Sequence, residues 1–336
     1  MNIHFITSLE RHGAEKQLLK LIKTENSVVI SIVGGDLKDD FKEYSKLIIL
    51  KNINLEIFLK LLYLIYKSKT FNVWLYHFLI PISSIALLLN KELKIYTRQD
   101  IKPKNSLTKF QKISLNYTKF LSYFYKNKIT LIANSKRSLA SHIEFGLNYK
   151  SAFIVSNKID KIFFDNELTL LNKTNKQINI LTLARFDRSK NLPLELSIME
   201  IINELYNFNF NLEIIGDNIN EIINKGFLSY KPKWLSLKNG IKVTPEIFDK
   251  YDFYLSLSLW EGQSNSIHEA ASRGIYLITT KNGDSDLIAQ NCEGTVLKEN
   301  SDYISEIANL MNNSESIYAR KKDRRDKYFN FYKKII

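Results

Sequence analysis

The chain has 336 residues, 45% of them hydrophobic and 25% charged, an ordinary globular composition too long for one typical core and sufficient for two α/β domains. Its one cysteine, Cys292, excludes an internal disulfide, and no Cys/His group has the spacing of a zinc site. The net charge of +13 favours contact with nucleic acid, anionic lipid or a phosphorylated substrate, without choosing among them.

Short apolar runs alternate with longer amphipathic segments, as expected of repeated β-α units. Residues 2–7 read as a strand and not as a signal peptide, since they lack a basic flank and a long apolar region. A turn at His12-Gly13 precedes a helix over 14–23. Further strands are expected at 28–33, 47–50, 73–77, 93–97, 129–133 and 152–155. The longest apolar stretch, 57–66, is interrupted by Lys60 and falls short of the roughly 20 residues a spanning helix needs, so a cytoplasmic protein without a membrane span is expected. Residues 109–128 interleave Phe, Tyr and Leu with five lysines, which suits either an anionic membrane surface or a helix packing its rings inward.

A polar, Asn- and Lys-rich interval at 165–177 reads as a linker, after which the rhythm restarts. Strands are expected at 179–184, 211–215, 253–257 and 275–279, with helices at 193–206, 245–251, 266–273 and 316–336.

The most informative stretch is WEGQSNSIHEAASRG, Trp260 to Gly274, set between two apolar strands. A strand, a short polar loop and a helix start make an anion site, because unpaired backbone N–H groups and the positive end of the helix dipole converge there. Gly262 permits close backbone approach, and Ser264, Asn265 and Ser266 are all good N-cap types. Glu261 and Glu269 flank the turn and can accept hydrogen bonds from sugar hydroxyls. Ser266 and Glu269 also fit a capping box, in which the glutamate only closes the helix end.

Glu261 and Glu269, with seven residues between them and followed by Ala270, Ala271 and Gly274, resemble the E-x7-E signature of the retaining glycosyltransferases of family 4, or group 1, whose fold is called GT-B. LTLARFDRSKN resembles that family's Arg-x4-Lys, here Arg185 and Lys190, and LEIIGDN its strand ending at Gly216. TTKNGDSDLI resembles its Gly-Gly-x-x-Glu stretch, with Asp286 as the terminal acid, so Asp284-Ser285-Asp286 is not read as a metal-binding Asp-x-Asp. In the first half, His12-Gly13-Ala14-Glu15 keeps one of the family's two glycines, His77 stands near a strand end where the family often has a histidine, and Arg98, Gln99 and Asp100 replace the usual His-Asp or His-Gly.

The resemblance implies an α/β GT-B protein: an N-terminal Rossmann-like acceptor domain over 1–163, a C-terminal donor domain over 164–315, a cleft between them, and a final helix, 316–336, crossing back to the first domain. It implies transfer of a sugar from a nucleoside-diphosphate sugar to a carbohydrate, lipid-linked acceptor, in bacterial lipopolysaccharide O-antigen or capsule synthesis. The enzyme is expected on the inner face of the plasma membrane, without metal, cofactor or nucleic-acid partner. Implied donor contacts are Arg185, Lys190, Glu269, Gly262, Gln263, Ser264, Asn265, Thr244 and Gly216; Glu261 and His77 are the implied catalytic groups, and Gly13 and Arg98 the acceptor or phosphate loop. Arg185 and Lys190 have a physical rationale, since fixed cations can offset the charge growing on a diphosphate leaving group. Two alternatives stand beside this reading. A GT-B sugar-nucleotide 2-epimerase needs more acid–base groups than five histidines readily supply, and a basic nucleic-acid-binding protein lacks any RRM, KH or helix-turn-helix signature.

Overall fold

The computed structural model describes residues 2–10, 13–50, 55–74, 80–97, 109–169, 177–228, 231–241 and 243–335. The chain divides into two compact units, Met1–Asn157 and Lys158–Ile336.

The first unit runs β1 (Asn2–Ile6), α1 (Gly13–Ile22), β2 (Ser27–Ser31), α2 (Lys38–Tyr44), β3 (Lys46–Ile49), α3 (Leu55–Lys67), β4 (Thr70–Trp74), α4 (Ile80–Leu88), β5 (Glu92–Thr97), α5 (Lys109–Tyr125), β6 (Ile129–Ala133), α6 (Lys136–Glu144) and β7 (Ser151–Ile154). Its sheet is parallel in the order β3-β2-β1-β4-β5-β6-β7. Side chains alternate across it, so Ile3 and Phe5 share one core with α3, α4 and α5, while Ile6, Val29 and Trp74 share another with α1 and α2. Both faces are covered, which is why these strands read as near-continuous apolar runs.

The second unit runs α7 (Ile162–Asp165), β8 (Ile178–Leu183), α8 (Leu192–Leu205), β9 (Phe210–Gly216), α9 (Glu221–Asn224), β10 (Leu235–Asn239), α10 (Pro245–Asp249), β11 (Phe253–Ser256), α11 (Asn265–Ser272), β12 (Tyr276–Thr280), α12 (Ser285–Asn291), β13 (Thr295–Leu297), α13 (Tyr303–Asn312), α14 (Ser314–Ala319) and α15 (Lys321–Ile335). Its parallel sheet has the order β10-β9-β8-β11-β12-β13. This is the doubly wound pattern: the sheet grows outward from β8, then returns to add β11 on β8's other side. The expected two Rossmann-like α/β domains are present. The edge strands β10 and β13 were not among the strands read from sequence; both are short and only partly buried, so their apolar signal is weak.

The last segment contributes to the core of the second unit. Its aromatics Tyr328, Phe331 and Tyr332 belong to the second unit's own core, with Phe163, Ile267 and Ile288. Tyr328 Oη lies 2.6 Å from His268 Nδ1 on α11, and Tyr332 Oη accepts from Ile159 N at 3.0 Å. The cations of the helix work inward too. Lys321 is 1% exposed, and its Nζ donates to the carbonyls of Phe248, Asp249 and Tyr251 at 3.3, 2.9 and 3.0 Å, supplying acceptors at the end of α10 with three donors.

Beneath it, the fully buried Arg273 holds Asp249 through two bonds of 2.9 and 2.7 Å and donates to the carbonyls of Asn166 and Glu167 at 2.7 Å each. One guanidinium thereby ties α10, the end of α11 and the segment entering the unit. Among the described residues, no helix is long and apolar enough to cross a membrane. Asp249→Ala leaves the Arg273 charge buried without its carboxylate, and urea unfolding is expected to show a loss of about 3–5 kcal/mol in the stability of the second unit.

Candidate functional site

In an open parallel sheet, ligands bind at the carboxyl ends of the strands where the winding reverses. In the second unit that point lies between β8 and β11. The loops leaving these strands carry Arg185 and Lys190 on one side and Glu261 on the other. The structure draws them together: Lys190 Nζ forms an ion pair with Glu261 Oε1, both side chains being mostly buried, and Leu259 N donates to Ser189 O at 2.7 Å. Ser258 Oγ donates to the same Glu261 oxygen at 3.0 Å.

The loop after β8 is shaped by its own polar residues. Asp187 accepts from Ser189 N and Oγ at 2.8 and 2.5 Å, closing a short 3₁₀ turn. Asn191 then takes a left-handed backbone, φ 53°, and starts α8. Arg185 stays exposed, and among the described residues its ion-pair contact is a loose one of 3.9 Å to Asp187. That leaves its guanidinium available at the strand edge, since an exposed pair of this kind holds it weakly. Gly216 is pressed against the start of this loop: a Cβ there would lie 2.0 Å from Ala184 O. Its place beside Arg185 is thus a backbone fit, with any larger residue pushing β9 and β8 apart there.

The loop after β11 is fixed from behind by the turn after β12. Asn282 Nδ2 and Thr280 Oγ1 donate to Ser258 O at 3.0 and 2.9 Å. Gly283 has φ +50°, and a Cβ there would fall 1.9 Å from Gly262 O. The stretch matched to Gly-Gly-x-x-Glu therefore buttresses the Glu261-Gly262 backbone. In this turn the two Asp-x-Asp acids serve apart: Asp284 Oδ2 lies 3.5 Å from His268 Nε2, while Asp286 sits in the first turn of α12. Among the described residues there is no group of three or more His, Cys, Asp or Glu that could hold a metal ion.

The capping-box alternative does not hold. Ser264 is the N-cap of α11, without a side-chain capping bond, and the helix begins at Asn265. Ser266 is therefore inside the helix, where its Oγ accepts from Tyr254 Oη at 2.8 Å and lies 3.1 Å from Ser264 Oγ. Glu269 falls two residues beyond the position a capping glutamate needs, and its side chain is half-buried. The first bond of the helical ladder is His268 N to Ser264 O at 3.3 Å, so the amides before it lie at the positive end of the helix. Gly262, Gln263 and Ser264 are buried, and Asn265 is partly exposed.

Two residues missed in the sequence support the site from below. Tyr254, central in β11, is fully buried and bonds Ser266; burial raises its phenol pKa far above the usual value, with Glu261, Glu195 and Glu269 adding to the rise. Glu195 of α8 is 1% exposed and accepts from Leu257 N at 2.8 Å, just ahead of the Glu261 loop. Its other oxygen lies 2.9 Å from Thr182 Oγ1, which is also 3.0 Å from Leu255 O. A hydroxyl has one proton and cannot donate to both acceptors. A neutral Glu195 resolves the conflict by donating to Thr182, whose proton then reaches Leu255 O. Burial accordingly pushes the Glu195 pKa up to about 8, against the bonds from Leu257 and Thr182 and the charge of Lys190. A glutamate facing the wrong way for a surface helix position was the only sequence signal for this role.

Thr244 precedes Pro245 as the N-cap of α10, and Val243 packs on the apolar core beside it. Gly13 is the exposed first residue of α1; next to it Glu15 is buried and accepts from Ser8 Oγ at 2.9 Å. His77, Arg98 and His12 lie outside the described residues.

Two Rossmann-like units, with a polar switch-point site in the second, define the GT-B class of architecture. Residues 177–313 match the family model described as "Glycosyl transferases group 1", so the second unit carries a domain of that kind. No curated protein matches the chain. Among solved structures, it is similar to Anabaena Alr3699/HepE in complex with UDP and glucose, at 13% identity and TM-score 0.74 over 97% of this chain and 94% of that one. It is also similar to WaaG, a glycosyltransferase involved in lipopolysaccharide biosynthesis (11% identity, TM-score 0.69, 98% and 95% covered). A third is OtsA, a trehalose-6-phosphate synthase (12% identity, TM-score 0.60, 99% and 98% covered). At such identities the likeness is one of fold.

Two measurements check this site. Glu195 binds a proton in the folded state that the unfolded chain has released between its ordinary value of 4.5 and about 8. Its contribution to stability is therefore present at low pH, declines as pH rises through 4.5, and is fully lost above about 8. Replacing Glu195 with Gln is expected to remove that decline from a series of denaturant titrations across pH. Gly283→Ala is expected to lower the melting temperature by several degrees through clash and backbone strain, since about 1 kcal/mol or more is at stake.

Proposed function

We propose that this chain is a retaining glycosyltransferase of family 4, moving a sugar from a nucleoside-diphosphate sugar to a carbohydrate, lipid-linked acceptor. The observation that carries the reading is the junction of Lys190 and Glu261 at the switch point. It unites the two sequence segments that resemble the family's donor-binding motifs, in the unit that matches the group 1 model.

In this proposal the diphosphate takes the place of Glu261 as partner of Lys190, with Arg185 as the second cation and the start of α11 as a further positive end. Released from Lys190, Glu261 can accept hydrogen bonds from the donor sugar. Glu269 accepts from the ribose hydroxyls, and the backbone near Thr244 meets the base. As the bond from the anomeric carbon to the diphosphate oxygen breaks, the leaving oxygen takes the electron pair and the growing charge is met by Arg185 and Lys190. The acceptor hydroxyl attacks on the same face and gives its proton to the leaving phosphate. The sugar is thereby transferred with retention and the nucleoside diphosphate released. The two protein cations supply the counter-charge in place of a metal. UDP-glucose and UDP are the first compounds to test, because a structural neighbour was solved with UDP and glucose. The setting proposed is bacterial surface polysaccharide synthesis, for which the likeness to WaaG, involved in lipopolysaccharide biosynthesis, is the support, and the place proposed is the inner face of the plasma membrane.

Calorimetric titration with nucleoside diphosphates is expected to find one that binds. Arg185→Ala and Glu269→Ala should each weaken it roughly tenfold to a hundredfold, as for loss of a charged hydrogen bond. Unchanged affinity in both variants would remove the site assignment. EDTA should leave turnover intact, and a donor isomerised in the absence of acceptor would mean an epimerase instead.

A further inference from the structure

Glu195 lies in the first turn of α8, the helix that Lys190 and Asn191 lead into. Its neighbours on the inner face of that helix, Leu192, Leu196 and Met199, are buried hydrophobics of the second unit's core. A leucine would pack there without polar partners, whereas a carboxyl can be buried only with them. What the carboxyl adds is a proton that can be held or released.

Its bonds close a circuit around the switch point. Leu257 N donates to one carboxyl oxygen, and the next residue, Ser258, donates to Glu261. Glu261 pairs with Lys190, and Lys190 leads back into α8. The protonated carboxyl satisfies this circuit by donating to Thr182, whose own proton then reaches Leu255 O. The ionised carboxyl would draw the Thr182 proton away from Leu255 O. It would also set a negative charge beneath the edge where Arg185 and Lys190 stand. The charged and titratable groups around it are Lys190, Glu261, Glu269 and Tyr254. Lys190 favours the ionised carboxyl, but burial outweighs it. Burial also keeps the Tyr254 phenol protonated, so it does not titrate alongside.

We infer that Glu195 is a positioning residue of the donor site: its protonated carboxyl joins the two loops without opposing the ligand's charge, and it takes up a proton from solvent when a nucleoside diphosphate binds. The inference rests on the donor-site reading of Lys190 and Glu261 given above. A diphosphate that replaces Glu261 beside Lys190 cancels the cation that favours ionised Glu195 and adds negative charge of its own. The bound protein therefore holds the Glu195 proton more tightly than the free protein, and by linkage the protonated protein binds the diphosphate more tightly. In the free protein that proton is lost near about pH 8, so uptake is concentrated just above it.

Calorimetric titration of the full chain with UDP, in two buffers of different ionisation heat, reads this uptake. UDP is itself fully ionised at such pH and contributes none. If the bound diphosphate tightens the hold on the proton about tenfold, roughly half a proton is taken up per UDP near about pH 8.5, and affinity falls about fivefold from about pH 7 to about pH 9. In Glu195→Gln the amide can donate to Thr182 and accept from Leu257 N, as the protonated carboxyl does. This variant is expected to bind UDP as the unaltered chain does at about pH 7, to take up no proton through this group, and to lose the fivefold decline. The unaltered chain should also show the infrared band of a protonated carboxylic acid at about pH 7, weakened in Glu195→Gln. UDP binding without proton uptake overturns the inference, as does uptake that survives in Glu195→Gln, or the absence of the infrared band; each leaves the donor site standing. If UDP, GDP, ADP and dTDP all fail to bind, the donor-site reading falls and takes this inference with it.

Discussion

The adjacency of β8 and β11 is the constraint from which the candidate site follows. A parallel sheet that grows in one direction and then returns must leave two divergent loops side by side at its carboxyl edge. Here those loops carry opposite charge, and Lys190 pairs with Glu261 across them. Neither residue owes its position to local sequence; they are 71 residues apart and meet because two strands do. The same adjacency places the start of α11 at the edge, with Tyr254 holding Ser266 from within the sheet.

Beneath the charged edge lies a buried polar scaffold. Glu195 spans β8 and the end of β11, and its neutral form satisfies Thr182 and the backbone together. Asn282 and Thr280 brace Ser258 from the next strand. Groups of this kind are costly to bury unless every partner is present, so they hold one geometry of the loop and disfavour neighbouring ones. Arg273 and Lys321 do the same at the opposite end of α10 and α11, by donating to buried backbone carbonyls and to Asp249. The site's loops are therefore attached to a rigid frame, which is what a ligand-binding edge needs if its amides are to keep their aim.

Two segments of like composition meet opposite fates. Residues 109–128 and the last helix both mix lysines with aromatic rings. In α15 the rings Tyr328 and Tyr332 find a partly apolar wall made by α11, α12 and Phe164, and they are buried. In α5 a single stripe, through Leu115, suffices to cover the sheet, and Phe120, Tyr123 and Phe124 remain on the outside. Composition alone could not separate these cases, because burial depends on what the neighbouring element offers.

The sequence by itself determined the class of fold and most of the central strands, because strands covered on both faces must be apolar along their length. It also marked Arg185, Lys190, Glu261 and Glu269, since their spacing around strand ends carries a chemical pattern. It did not show β10 and β13, whose edge positions need little apolar surface, nor the Glu195–Thr182 pair and Tyr254, whose importance arises only when distant strands meet. Whether Ser266 and Glu269 form a capping box turned on where α11 begins. A helix start depends on the loop that feeds it, and Tyr254 and the Gly283 turn set that loop from elsewhere in the chain. Tertiary structure decided these matters because hydrogen-bond partners and burial are properties of contacts between segments, which periodicity along one segment does not contain.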